Sequence, residues 1–186
     1  MKELQNLIQE TLNDTDVHAE EIPPIDLYID QIITLMDEKY SSVKRHESDK
    51  ILTKTMIHNY RKEGLIKPIK GKQYSKEHIV QMLIIYAMKN SLSIQEIKDV
   101  FCTIYNNPNF NGESLISGYE RSLKVKEKQR KLLPSYLENL FEDENIEVSN
   151  SEDLLTLLLS LTFMSGYLRR IAEQIIDEYF TIPKNK

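Results

Sequence analysis

Thr55, His58, Asn59 and Lys62 recur at i, i+3, i+4 and i+7, so a helix drawn through them sets all four on one face, with Met56, Ile57 and Tyr60 on the other. The outward set suits the edges of bases. An asparagine can bond an adenine edge with both amide groups, and a threonine can touch a thymine methyl. Lys54, Arg61 and Lys62 flank them where phosphates would run. A few residues on, Lys67, Lys70 and Lys72 surround Gly71 in a short basic projection that closes on Tyr74. Such a projection can follow a phosphate backbone or reach a minor groove. The candidate contact set is therefore Lys54, Thr55, His58, Asn59, Tyr60, Arg61, Lys62, Lys67, Lys70, Lys72 and Tyr74. For His58 alone a plain surface histidine is the commoner reading, and for Tyr60 core packing is commoner than a phosphate contact.

The charge around these residues is uneven. From Lys39 to Lys76 there are eleven Lys or Arg against three acids, Glu47, Asp49 and Glu63. That local +8, within a chain of net charge −5, leaves −13 on the rest. Positive charge gathered in one window is the footprint of a polyanion partner, with double-stranded DNA as the first candidate. The alternatives are a solvated face, or a non-enzymatic interaction module whose basic side docks an acidic protein.

Other chemistries find little support. The chain has 186 residues, 40% hydrophobic and 28% charged, an ordinary balance for a soluble globular protein. One cysteine, Cys102, excludes an internal disulfide, and His18, His46, His58 and His78 are too scattered for zinc-ligand spacing. No phosphate-binding glycine loop or nucleophile elbow occurs, Cys102 sits beside Phe101 on an apolar helical face, and Asp143 and Glu144 lie in an acidic surface run. We therefore expect no catalysis, metal or cofactor. The N-terminus lacks a basic segment followed by an apolar stretch, and Leu154 to Met164 is about half of the ~20 residues a span needs, so a cytoplasmic protein without a membrane segment is expected.

The elements that must hold the candidate residues follow from periodicity and caps. An acidic stretch, Met1 to Glu21, closed by Pro23-Pro24, reads as a loosely attached arm with one short helix. Apolar positions from Leu27 to Met36 place a helix over about 26–40, and polar residues 41–50 a loop. Thr53 then caps a short helix that Gly64 terminates. Residues 66–74 read as a tight two-stranded ribbon with Lys70, Gly71 and Lys72 at its tip. Ser75 starts a core helix running to about Lys89, and Ser93 with Glu96 forms a capping box for another. Asn106 to Gly112 is the strongest loop signal. Beyond it Pro134 either kinks a helix or starts one. Ser149 and Glu152 then form a capping box for a last helix, in which Leu154, Leu157, Leu161, Met164, Leu168, Ile171 and Ile175 make a heptad seam. Leu155, Leu158, Leu159 and Phe163 widen that stripe, so burial within the domain and pairing of two subunits both fit it.

The run Ile57-His58-Asn59-Tyr60-Arg61-Lys62-Glu63-Gly64-Leu65-Ile66-Lys67-Pro68, then Tyr74-Ser75-Lys76-Glu77-His78-Ile79, then Ser91-Leu92-Ser93-Ile94-Gln95-Glu96-Ile97 resembles the winged-helix domain of MerR-type regulators. The whole chain is similar to an uncharacterised bacterial family, a domain of unknown function of the 1836 type, that joins such a module to a helical C-terminal half. In the MerR comparison Tyr60 matches the second family tyrosine, Gly64 the family glycine, and Tyr74 the tyrosine closing the wing. His58 stands in place of the family arginine, Asn59 in place of its first tyrosine and Met56 in place of a threonine, and the connection 41–52 is longer than the usual turn. The resemblance implies a mainly α protein: an acidic arm 1–24, a winged helix-turn-helix 25–105, and a helical C-terminal domain 106–186 that dimerises or receives a signal. It further implies a sequence-specific transcriptional regulator acting on double-stranded DNA as a homodimer through its C-terminal helix.

Overall fold

The computed structural model describes residues 2–142 and 146–180; Asp143 and Glu144 fall outside them. Among the described residues the chain is mainly helical with one small antiparallel sheet. In order the elements are α1 (Lys2–Leu12), β1 (Leu27–Tyr28), α2 (Ile29–Lys39), α3 (Lys54–Lys62), β2 (Gln73–Tyr74), α4 (Lys76–Met88), α5 (Ile94–Asn106), α6 (Gly112–Glu142) and α7 (Ser151–Tyr179), with short 3-10 turns at Ala19–Glu21 and Ser41–Val43.

Local chemistry sets most boundaries. The Thr53 hydroxyl accepts the Met56 N–H at 3.1 Å and so starts α3. Gly64, at φ +77°, ends it: Leu65 N–H donates to Tyr60 O at 2.8 Å and Gly64 N–H to Arg61 O at 3.1 Å, the paired bonds of a Schellman cap. The Ser93 and Glu96 side chains each accept the other's backbone N–H, at 3.2 and 2.6 Å, opening α5. At α7 the capping residue is Asn150, one position past the expected Ser149; its side-chain oxygen accepts from Glu152 N–H at 2.9 Å.

The sheet differs from expectation. Instead of a ribbon closed within 66–74, β2 pairs with β1 ahead of α2, Leu27 opposite Tyr74 and Tyr28 opposite Gln73. The near segment has few donors left for a ladder: the Leu65 N–H is spent on the α3 cap, the Lys67 N–H on Gln81 Oε1, and Pro68 has none. Gly71, at φ +69°, still turns the chain between Lys70 and Lys72.

Two cores form. The first runs from Val17 to Leu123 and joins Ile32 and Met36 of α2, Ile57 and Tyr60 of α3, Leu65, Tyr74, five buried apolar positions of α4 beside its buried Gln81, Ile97 and Phe101 of α5, and Leu115, Tyr119 and Leu123 of α6. Six buried side chains in thirteen residues make α4 its central post. The second is small: Leu4, Leu137, Phe141, Ile146 and Leu157, with Leu161 and Met164 half-buried against it. Pro134 lies inside α6, so one helix reaches both cores.

The N-terminal arm is tied down more firmly than its composition suggests. Asp14 and Asp16 both pair with Lys126 and Arg130; Arg130 Nε lies 2.7 Å from Asp14 Oδ1 and Arg130 Nη1 2.8 Å from Asp16 Oδ2. Burial pushes Asp14 up, but hydrogen bonds from Arg130 and Lys126 outweigh it and hold the carboxyl below its usual range. The Tyr119 hydroxyl donates to Val17 O at 2.8 Å over a fully buried Val17, and Glu120 accepts from Ala19 N–H and meets His18 Nδ1 at 2.9 Å.

The heptad seam of α7 splits in two. Leu157 is buried and Leu161 and Met164 are half-covered on the second core, whereas Leu168, Ile171 and Ile175 face solvent. The far end of α7 leans on α5 instead, with Ile176 buried and the Thr103 hydroxyl donating to Phe180 O at 3.0 Å. By length and composition α7 could also cross a membrane, since Ser160, Thr162, Ser165 and Gly166 interrupt the apolar run without charging it.

Candidate nucleic-acid interface

α3 is held from behind and free in front. Its inner face buries Ile57 fully and Tyr60 nearly so, with Met56 half-covered, and α2 packs alongside. Thr55, His58, Asn59, Arg61 and Lys62 are exposed, and among the described residues their side chains have no hydrogen-bond or ion-pair partner. The Arg61 guanidinium lies 5.9 Å from the centre of the Tyr74 ring.

Two of the expected contact residues are structural. Tyr74 is 2% exposed and Tyr60 7%, so both rings pack inside the first core and burial pushes the Tyr60 phenol above its ordinary value. A ring that anchors the helix from behind cannot also face a phosphate in front of it. Two lysines are already engaged. Lys54 pairs with Asp30 at 2.7 Å, in full view of solvent, where such a pair is weak and exchangeable. Lys67 turns inward instead, 2.7 Å from Glu77 Oε1 and 4.0 Å from the centre of the Tyr105 ring. Lys70 and Lys72 are exposed on either side of Gly71 and unpaired among the described residues.

Outside this face, Lys39 pairs with Glu21, and Lys44 with Asp37 at 2.9 Å. The excess positive charge of the window therefore falls on half-buried Lys76 at the start of α4, on Arg61, Lys62, Lys70 and Lys72, and on Arg45 and Lys50, exposed in the loop leading into α3. Those last two were not among the expected contacts, although the charge of the window was a signal for them.

An open cleft of about 730 Å³ separates α3 from α5. His58, Arg61 and Lys62 form one lip, Leu65, Ile66 and Phe101 give apolar wall, and Cys102 lines it half-buried. Gln81, fully buried, lines it too: its amide donates to the Tyr105 hydroxyl at 2.8 Å and accepts the Lys67 N–H at 3.3 Å. Among the described residues no group of His, Cys, Asp or Glu is placed to hold a metal ion.

The family model described as a domain of unknown function (DUF1836) matches residues 17–122, nearly the bounds of the first core, and the chain belongs to that family. No curated protein and no solved structure matches the chain.

Proposed function

We propose that this DUF1836 protein is a sequence-specific DNA-binding transcriptional regulator of winged helix-turn-helix build, resembling the MerR type, with α3 as the reading helix and the 67–72 turn as its wing. The observation that carries the reading is the division of α3: Ile57 and Tyr60 fix it to the core, while Thr55, His58 and Asn59 stand free beside unpaired Arg61 and Lys62. Side chains that can bond base edges are placed between cations that can bond phosphates. The pairing of β1 with β2 ties the base of the wing to the start of α2, so wing and helix pair would approach DNA as one body.

DNA fragments selected by the purified protein, titrated at several salt concentrations, test this. Neutralising about four phosphates per subunit gives a slope of log affinity against log salt near −4, and losing Lys70 and Lys72 to alanine flattens it by roughly one unit each. A flat salt response on every duplex overturns the reading. It would favour docking of an acidic protein, for which the apolar wall of the α3–α5 cleft offers a seat that a phosphate backbone does not need.

A further inference from the structure

The outward face of α7 has a pattern of its own, separate from the seam that meets the second core. Leu155, Leu159, Phe163 and Tyr167 follow one another at i+4 and are 57, 44, 60 and 58% exposed, a ridge of large side chains on open surface. The next i+4 row is Leu158, Thr162, Gly166 and Arg170, which is mostly small at its middle. A large ridge beside a shallow row is what helix packing by ridges into grooves requires of each partner. A Cβ added at Gly166 would meet nothing within 4 Å, so the chain's own packing gives no reason for a glycine in mid-helix.

The pattern is also symmetric. The ridge from Leu155 to Tyr167 is centred on position 161, and so is the pair formed by Glu152 before it and Arg170 after it. Turning a second helix antiparallel about that centre sets Leu155 against Tyr167, Leu159 against Phe163 and Glu152 against Arg170. A parallel pairing would set Glu152 on Glu152 and Arg170 on Arg170. At roughly 100 Å² for each half-open leucine or aromatic, the ridge and Leu158 give about 500 Å² of apolar surface per chain. With its polar flanks, two such faces approach the low end of specific interfaces, about 1,200 Å² in total. α7 reaches the length of a span only by taking in charged residues: its uncharged stretch, Leu154 to Leu168, is about 22 Å long at 1.5 Å per residue, short of the ~30 Å hydrocarbon core, and Arg169 and Arg170 close it.

We propose that α7 pairs antiparallel with α7 of a second copy across this face, the two helices crossing at the level of position 161 on the side away from the Leu161 side chain, with Glu152 of each chain against Arg170 of the other. This dimer does not use the heptad seam, half of which is already spent inside the chain.

Sedimentation of the full chain tests it independently of any DNA result. The wild type is expected to be a dimer at micromolar concentration. Gly166→Leu and Leu159→Glu should be folded monomers, since both positions are open in the single chain, and circular dichroism confirms the fold. Glu152→Arg and Arg170→Glu should each raise the dissociation constant about tenfold or more, and the two together in one chain should restore it. A dimer that survives Gly166→Leu, or one broken only by Leu168→Glu or Ile171→Glu, overturns the proposal. So does a charge pair that fails to recover when doubly reversed. A wild type that stays monomeric and floats with neutral phosphatidylcholine vesicles would assign the ridge to lipid instead.

Discussion

The first core and the helix pair beyond it treat the same kinds of residue in opposite ways. From Val17 to Leu123 the large apolar side chains converge and close over one another, with Ile32, Ile57, Ile79 and Ile85 fully buried. In α7 Leu158, Phe163 and Leu168 are more than half exposed, although the helix is richer in leucine than any element of the core. The first core closes over its own apolar side chains, whereas α7 leaves two apolar patches on open surface, which is the observation behind the proposed pairing. The difference teaches where to look for folding and where to look for association.

The matched change Phe101→Ala and Phe163→Ala gives the largest expected contrast. Phe101 is 2% exposed and should cost about 3–5 kcal/mol of stability; Phe163, 60% exposed, should change the melting of the dilute monomer by less than ~0.5 kcal/mol while weakening self-association. Denaturant melts at low and high protein concentration measure both. Equal losses at the two sites would abolish the distinction.

Within the first region the same contrast recurs between neighbours. Asn59→Ala should cost about 1–3 kcal/mol on the preferred DNA site, read by competition binding, with little change in stability. Tyr60→Ala should lower the melting temperature instead, because its ring is buried. An Asn59→Ala protein with unchanged site preference would move the reading surface to the wing or the arm.

The arm gives smaller effects, set by pH. Asp14 titrates below its ordinary value of 3.8, so its contribution is complete above that value and is lost as pH falls through the lowered one. Asp14→Asn should therefore destabilise at neutral pH by on the order of 1 kcal/mol, discounted for partial exposure, and the deficit should vanish in acid. His18 behaves in the opposite sense. The hydrogen bond with Glu120 raises it above 6.5, so its contribution is present below 6.5 and is lost as pH rises through the raised value. His18→Gln should remove that slope, the smallest change of the set, seen as a flattened dependence of melting temperature on pH.

What could be read from the chain was local chemistry. Thr53, Gly64 and the Ser93–Glu96 pair act within a few residues, and their helices stand where the pattern placed them. Pairing of β1 with β2 was hidden because each strand has two residues and the partners are far apart in sequence. The hold on the arm was hidden for the same reason, although five cations in 124–131 facing acidic residues 14–21 were a visible clue. At the candidate site the residue types were legible, but which lysines were already engaged was not. Nothing in the spacing of Lys67 says that it turns toward Tyr105 and Glu77 while Lys70 and Lys72 stay free.

Pro134 leaves α6 unbroken, and its 31 residues run about 46 Å at 1.5 Å per residue. Leu115, Tyr119 and Leu123 near one end are locked among the residues that support α3, and Leu137 and Phe141 at the other among those that support α7. A continuous helix has a single rotational phase along its length. If two copies pair through α7 as proposed, a twist applied at that contact would reach the base of α3 along this one helix, with no break in α6 to absorb it. The chain has in effect an axle between its halves, and cutting it near residue 105 would strip three side chains from the first core rather than release an independent module.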